Sequence, residues 1–275
     1  MKLTLKIFFA SASLVSFASC SKDPSYAKDQ EGTSVFSTAD NIKLSSKSDA
    51  IVFKASGNIL PTLEEFRGLL GTLNIKPNVV DGRREVNWDA VPAALTNNNL
   101  FPGDFFGSAD PLAPDGRKRG IVSTTPGNGF QISDSNFENV KAEYGKLFKA
   151  FSPKKTFIAN GSTITDNFFK VPGTNVNASV QGFGVVFSGV NNSSSTSMEF
   201  YDGDKLLGTF KVPNNGTNNV SGFSFLGVYF PNDKVTHVRI ISGSAPLSST
   251  QDDLSDGGGE DLVIMDDFIY SEPRN

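Results

Sequence analysis

The sequence predicts an all-β fold, an antiparallel β-sandwich with one or two short helices, on three observations. Strand-forming apolar residues dominate the core candidates, with 24 phenylalanines among 275 residues. In the second half, short Phe/Val/Ile-rich runs recur roughly every ten residues between Gly-, Asn- and Ser-rich breaks. No strand–helix–strand alternation suggests a parallel sheet, and no repeat of about 20–50 residues is visible.

The elements follow in order. Ala50-Ile51-Val52-Phe53 reads as a first strand. A helix follows, with Thr62 and Glu65 spaced as a capping box. Leu63, Phe66, Leu69 and Leu70 fall on one face, and Gly71 ends it. Asn136–Phe151 spaces Val140, Tyr144, Leu147 and Phe148 as a helix would, but Asn139 and Gly145 oppose it. Phe183, Val185 and Phe187 alternate with Gly184, Val186 and Ser188. Met198–Tyr201 and Lys205–Val212 read as a hairpin about Asp202-Gly203-Asp204, with Leu206, Phe210 and Val212 on one face. Phe223, Phe225 and Tyr229 share one side of the next strand, and Thr236–Ile241 and Leu262–Tyr270 supply two more. A sandwich of more than about 200 residues is ordinary for one domain, so residues 49–275 read as a single one.

The N-terminus reads differently. Lys2 and Lys6 precede an apolar or small stretch, Ile7–Ala18, and Phe17-Ala18-Ser19 leads into Cys20. That is the layout of a secretory signal peptide over residues 1–19, and the run is shorter than the roughly 20 residues a membrane-spanning helix needs. The site resembles a bacterial lipobox, with Phe17 where leucine is commoner. The resemblance implies cleavage before Cys20, a diacylglyceryl group on its thiol, and a lipid anchor in the cell outer membrane. The polar residues 20–48 then read as a tether, and Lys22-Asp23 resembles the short signals that send some lipoproteins to the cell surface.

Cys20 is the only cysteine, so a lipidated chain has no disulfide, thiol nucleophile or cysteine metal site. Loss of Lys2 and Lys6 moves the formal charge from −4 to −6. With Arg117-Lys118-Arg119 as the densest basic run, nucleic acid is not an expected partner.

Several runs carry a further resemblance: Arg84–Pro92, Phe101–Phe106, Thr125–Phe130, Gly182–Phe187, Phe223–Val228 and Asp266–Tyr270. They are similar to motifs of a family of exported bacterial proteins, and the resemblance covers residues 80–273. It implies a jelly-roll-like sandwich with no established activity. Where several members carry acidic residues after the Gly-Phe-Gly strand, this chain has Ser188-Gly189-Val190-Asn191-Asn192.

Catalysis has little to draw on. His237 is the only histidine, on a strand pattern that puts it beside Arg239, and no Gly-x-Ser-x-Gly elbow accompanies it. Glu199, Asp202 and Asp204, or Glu85 and Asp89, could supply the two carboxylates of a glycoside hydrolase. The turn and the strand's solvent face explain the first three equally well. No enzyme is therefore expected, and a carboxylate-dependent glycan hydrolase remains an alternative. The acidic stretch holding Asp252, Asp253, Asp256, Asp266 and Asp267, with Glu260 and Asp261, suggests a structural calcium ion beside the last strand. By analogy with sugar-binding jelly rolls, Asp266 or Asp267 would be the strand ligand. Tyr201, Tyr229 and Tyr270 are the candidate ligand-binding aromatics, and Trp88, inside an alternating run, is expected in the core. The leading expectation is a non-catalytic envelope binding module with carbohydrate as the favoured ligand. A structural or adhesive protein that binds another envelope protein is the other alternative.

Overall fold

The structure is a computed structural model that describes residues 49–99, 101–216 and 222–275. The expected leader, Cys20 and the 20–48 stretch lie outside the described residues. The strands are β1 (Ile51–Ser56), β2 (Arg83–Val86), β3 (Ile121–Thr124), β4 (Phe130–Ser133), β5 (Thr156–Ala159), β6 (Ile164–Lys170), β7 (Asn177–Ala178), β8 (Gly182–Ser188), β9 (Ser197–Asp202), β10 (Lys205–Lys211), β11 (Phe223–Tyr229), β12 (His237–Ile241) and β13 (Ile264–Ser271). The helices are α1 (Leu60–Leu70) and the one-turn α2 (Tyr144–Leu147).

The strands form two antiparallel sheets. The first has the order β1-β11-β8-β13-β5-β4, with β2 also paired to β13; the second has the order β10-β9-β12-β6-β3, with β7 paired to β6. Within these, β5-β13-β8-β11 in one sheet faces β6-β12-β9-β10 in the other. Successive strands pass between the sheets except at the β9–β10 hairpin. That order is the eight-stranded jelly roll.

The core follows from strand alternation. Phe183, Val185 and Phe187 of β8 and Phe268 and Tyr270 of β13 meet Phe169, Met198, Phe200, Val238 and Ile240 of the second sheet. The first sheet is covered on its other face too. Leu63, Phe66 and Leu70 of α1 pack on Val186, Phe225 and Ile269. Phe137, Tyr144, Leu147 and Phe148 pack on Ile158, Leu262 and Ile264. Every residue of β8 and β13 is therefore buried. The Phe66 ring settles over paired Gly184 and Gly227; a Cβ at either would lie 2.8 or 2.9 Å from it.

Three sequence expectations are corrected. The α1 helix starts before Thr62, with Ile59 as its N-cap and no side-chain cap bond, because Pro61 fits the first turn. Leu69 lies off the buried face and is exposed. In β10 a bulge at Leu207 shifts the register between Leu206 and Gly208, so Leu207 is buried while Leu206 is 50% exposed.

Candidate functional site

The side chains with the most chemistry lie on the outer face of the second sheet, the sandwich face that carries no helix. Pairing places Val122, Phe168, His237, Tyr201 and Leu206 in one cross-strand row. Thr124, Asp166, Arg239, Glu199 and Thr209 form the next. Neighbouring strands are about 4.8 Å apart, so rings standing side by side on a sheet stack face to face. The Phe168 and His237 rings are 4.6 Å apart at 9°, and Tyr201 and His237 are 4.9 Å apart at 18°. Each outer ring uses one face on the imidazole. The other face of Phe168 turns toward Val122, and that of Tyr201 toward Leu206. Phe168 is 39% exposed.

The second row holds this trio in place. Asp166 accepts from Arg239 Nε at 2.8 Å and Nη2 at 3.0 Å, and lies 2.7 Å from His237 Nε2. Burial pushes the Asp166 carboxyl up, but the hydrogen bonds from Arg239 and His237 outweigh it and keep the group below the usual carboxylate range. An ionised Asp166 can only accept, so the imidazole proton facing it sits on Nε2, and Nδ1 is the remaining hydrogen-bonding atom. Tyr201 donates its hydroxyl to Glu199 at 2.6 Å, which raises the phenol above its usual range.

Beside this row runs an open groove of about 760 Å³, lined by Val122, Phe168, Lys170, Asn177, Asp204 and His237 among others. Lys170 reaches Asn177 Oδ1 at 2.5 Å. A groove of this size with one exposed ring and a few polar groups suits a small polar ligand with an apolar face.

The three sequence-derived tyrosines do not converge. Tyr201 belongs to the row above. Tyr229 lies on the outer face of the first sheet, half-buried against the α1 cluster. Tyr270 is corrected outright: it is 0% exposed, because it shares the inward parity of Phe268, and its hydroxyl donates to the Arg119 carbonyl. Trp88 is buried, as expected.

Nor do the acidic residues of the C-terminal stretch gather. Asp252 pairs with Lys141, and Asp253 accepts from the Ser255 and Leu262 amides at 2.8 Å each. Asp256 is exposed. Asp261 braces the 191–195 turn through the Asn191 and Asn192 amides. Asp266 and Asp267 form a bulge in β13, between Met265 and Phe268. Among the described residues, no group of three or more His, Cys, Asp or Glu is placed to hold a metal ion. Glu199 is engaged by Tyr201, while Asp202 and Asp204 sit exposed at the hairpin turn.

The Asp266–Asp267 bulge has its own electrostatics. Asp266 accepts from the Phe151 amide, from the Ser152 amide at 3.3 Å and from the Ser152 hydroxyl at 3.1 Å. Burial, and then the neighbouring Asp267, push its carboxyl up to about 9. Burial also raises Asp267, whose Oδ2 lies 3.4 Å from Arg67 and whose Oδ1 has no partner. A carboxyl with a raised folded pKa stabilises the fold at low pH. Between about 4 and about 9 the unfolded chain gives up a proton that the folded chain keeps, so stability falls as pH rises. Asp266→Asn can still accept from both amides and will flatten that fall. Thermal melts of the two proteins across this window measure it; parallel slopes would refute it.

Sequence reading missed Phe168 and Asp166 because β6 inverts the usual alternation. Asn167 and Thr165 point inward, where Asn167 accepts from Ser123 at 2.8 Å, while Phe168 points out. The available signal was the spacing of Asp166, Phe168 and Lys170. Comparison with protein-family models, with curated proteins and with solved structures returns no match.

Proposed function

We propose that this chain is a lipid-anchored envelope protein whose sandwich binds carbohydrate without catalysis, through the outer face of the second sheet. The anchor reading is supported by Lys2 and Lys6, the apolar run and Cys20, and places the domain at the outer membrane.

The observation that carries the binding reading is the exposed Phe168 ring at the groove. Sugars present C–H faces to aromatic rings and hydroxyls to polar groups. The part of the Phe168 ring left exposed at the groove suits the first, and His237, Asn177, Lys170 and Asp204 suit the second. The Asp166–Arg239 pair fixes His237 before any ligand arrives, which lowers the ordering cost of binding. Catalysis is not part of this reading, because the groove carries one free carboxylate, Asp204, rather than a facing pair.

The test is a glycan array spanning bacterial, plant and host glycans, read with the full chain. Binding is expected, and Phe168→Ala should weaken it about tenfold, the loss of one aromatic contact of about 1.4 kcal/mol. Circular dichroism should be unchanged in that variant, since the ring is outside the core. A blank array across all three glycan sources would overturn the proposal.

A further inference from the structure

We propose that the end of the sandwich at which the chain enters the domain is a docking surface for an anionic phospholipid bilayer. Three loops meet there: 71–82 between α1 and β2, 107–120 before β3, and 171–176 between β6 and β7. Gly173 packs between Lys118 and Pro77, where a Cβ would lie 3.4 and 3.5 Å from their side chains. Arg119 Nη1 donates to the Asn74 carbonyl at 3.0 Å.

These loops carry more than half of the large apolar side chains that stand exposed among the described residues. Leu112 is 91% exposed, Val80 74% and Ile75 60%, with Leu73, Val79 and Val176 beside them. Apolar side chains at loop tips, interleaved with cations, fit insertion among lipid headgroups better than a flat protein interface. The cations are Lys76, Arg117, Lys118 and Arg119. Against them stand Asp81, which is paired with Arg274, Asp110, which accepts from the Leu112 amide of its own loop, and Asp115. A small excess of cations in these loops, on a chain of net charge −4, is a local asymmetry, and the cations complement lipid phosphates.

The same end receives the N-terminal segment. Ile51 opens β1 opposite Tyr229, Tyr229 pairs with Gly182, and the Gly182 amide donates to Ser271 Oγ. Ser271 pairs with Arg83, which bridges to Leu73 in the exposed loop. Asp49, where the described chain begins, thus lies at the same end of the sandwich as the apolar tips. An anchor at Cys20 would hold weakly inserting loops at high local concentration near the bilayer.

This inference is independent of the glycan reading and separable from acylation. The test places a nitroxide label at Val80→Cys, at Leu112→Cys and, as a control at the opposite end, at Asp256→Cys. The full chain is reconstituted with vesicles of phosphatidylethanolamine and phosphatidylglycerol, and mass spectrometry reports the state of Cys20. Relative to the control, labels at 80 and 112 should show a several-fold higher ratio of oxygen to nickel-chelate accessibility. High salt should reduce that ratio. An anchored chain whose labels at 80 and 112 are as water-accessible as that at 256 overturns docking and leaves the anchor standing. Immersed labels in a Cys20→Ser chain support docking without acylation. A chain that does not associate with the vesicles at all overturns both, and equal immersion in pure phosphatidylcholine overturns the preference for anionic lipid.

Discussion

Replacing Arg84 by alanine will destabilise the domain by about 3–5 kcal/mol, the usual cost of stranding one member of a buried ion pair. Arg84 and Glu272 are fully enclosed, with side-chain exposures of 0% and 1%. Two parallel bonds of 2.7 Å join the guanidinium to the carboxylate. Asn74 Nδ2 donates to the same carboxylate at 2.7 Å, and Arg84 Nη2 donates to the Lys76 carbonyl at 2.8 Å. Without Arg84 the Glu272 charge keeps only the Asn74 amide. The double variant Arg84→Met, Glu272→Leu should recover most of the loss, because it removes both charges and refills the volume. Urea unfolding followed by far-ultraviolet circular dichroism measures all three proteins. A single-variant loss under about 1 kcal/mol would show that water reaches the pair.

Trp88→Ala is expected to cost a similar amount, about 3–5 kcal/mol, through a different route. The indole lies flat on Phe157, with ring centres 4.2 Å apart and planes within 2°. It is met edge-on by Phe268 at 5.1 Å and Phe106 at 5.8 Å. Its Nε1 donates to the Asp266 carbonyl at 2.8 Å, satisfying backbone that the β13 bulge leaves out of the ladder. Truncation opens a cavity and orphans that carbonyl. Trp88→Phe keeps most of the volume and loses the hydrogen bond, so its smaller loss separates the two contributions. Since Trp88 is the only tryptophan, circular dichroism rather than fluorescence must follow both variants. A Trp88→Ala midpoint equal to wild type would refute the cage.

The sandwich was legible in the sequence because its central strands obey alternation. Phe183, Val185 and Phe187 announced β8, and the Asp-Gly turn announced the β9–β10 hairpin. Trp88 was expected in the core from an alternating run and is buried there, although it lies past the end of β2 in a bend with a φ of 64°. The candidate face was only half legible. Tyr201, His237 and Arg239 share parities that the sequence displays, and the structure sets them side by side. Their partners Phe168 and Asp166 lie on a strand with its polarity reversed, so no alternation marked them. Tyr270 was misplaced because a tyrosine hydroxyl can be satisfied deep in a core by one carbonyl, here that of Arg119, which composition cannot reveal. The acidic stretch looked like one cluster because its residues are close in sequence. The fold sets Asp252, Asp253, Asp261 and Asp266 each against a different amide or cation and leaves only Asp266 and Asp267 side by side.

The position of β13 sets the order in which this protein can come into being. It is the last of the described strands, yet it lies in the middle of its sheet, pairing with β8, β5 and β2 and supplying Phe268 and Tyr270 to the core. Glu272, which neutralises Arg84, follows it at once. Until β13 docks, the strands that pair with it face water there. The domain therefore closes only once β13 has docked, through contacts between distant parts of the chain, which makes folding slow. A sheet whose centre is filled by a late strand cannot be half built: without β13 its β1-β11-β8 and β5-β4 parts have nothing to join them.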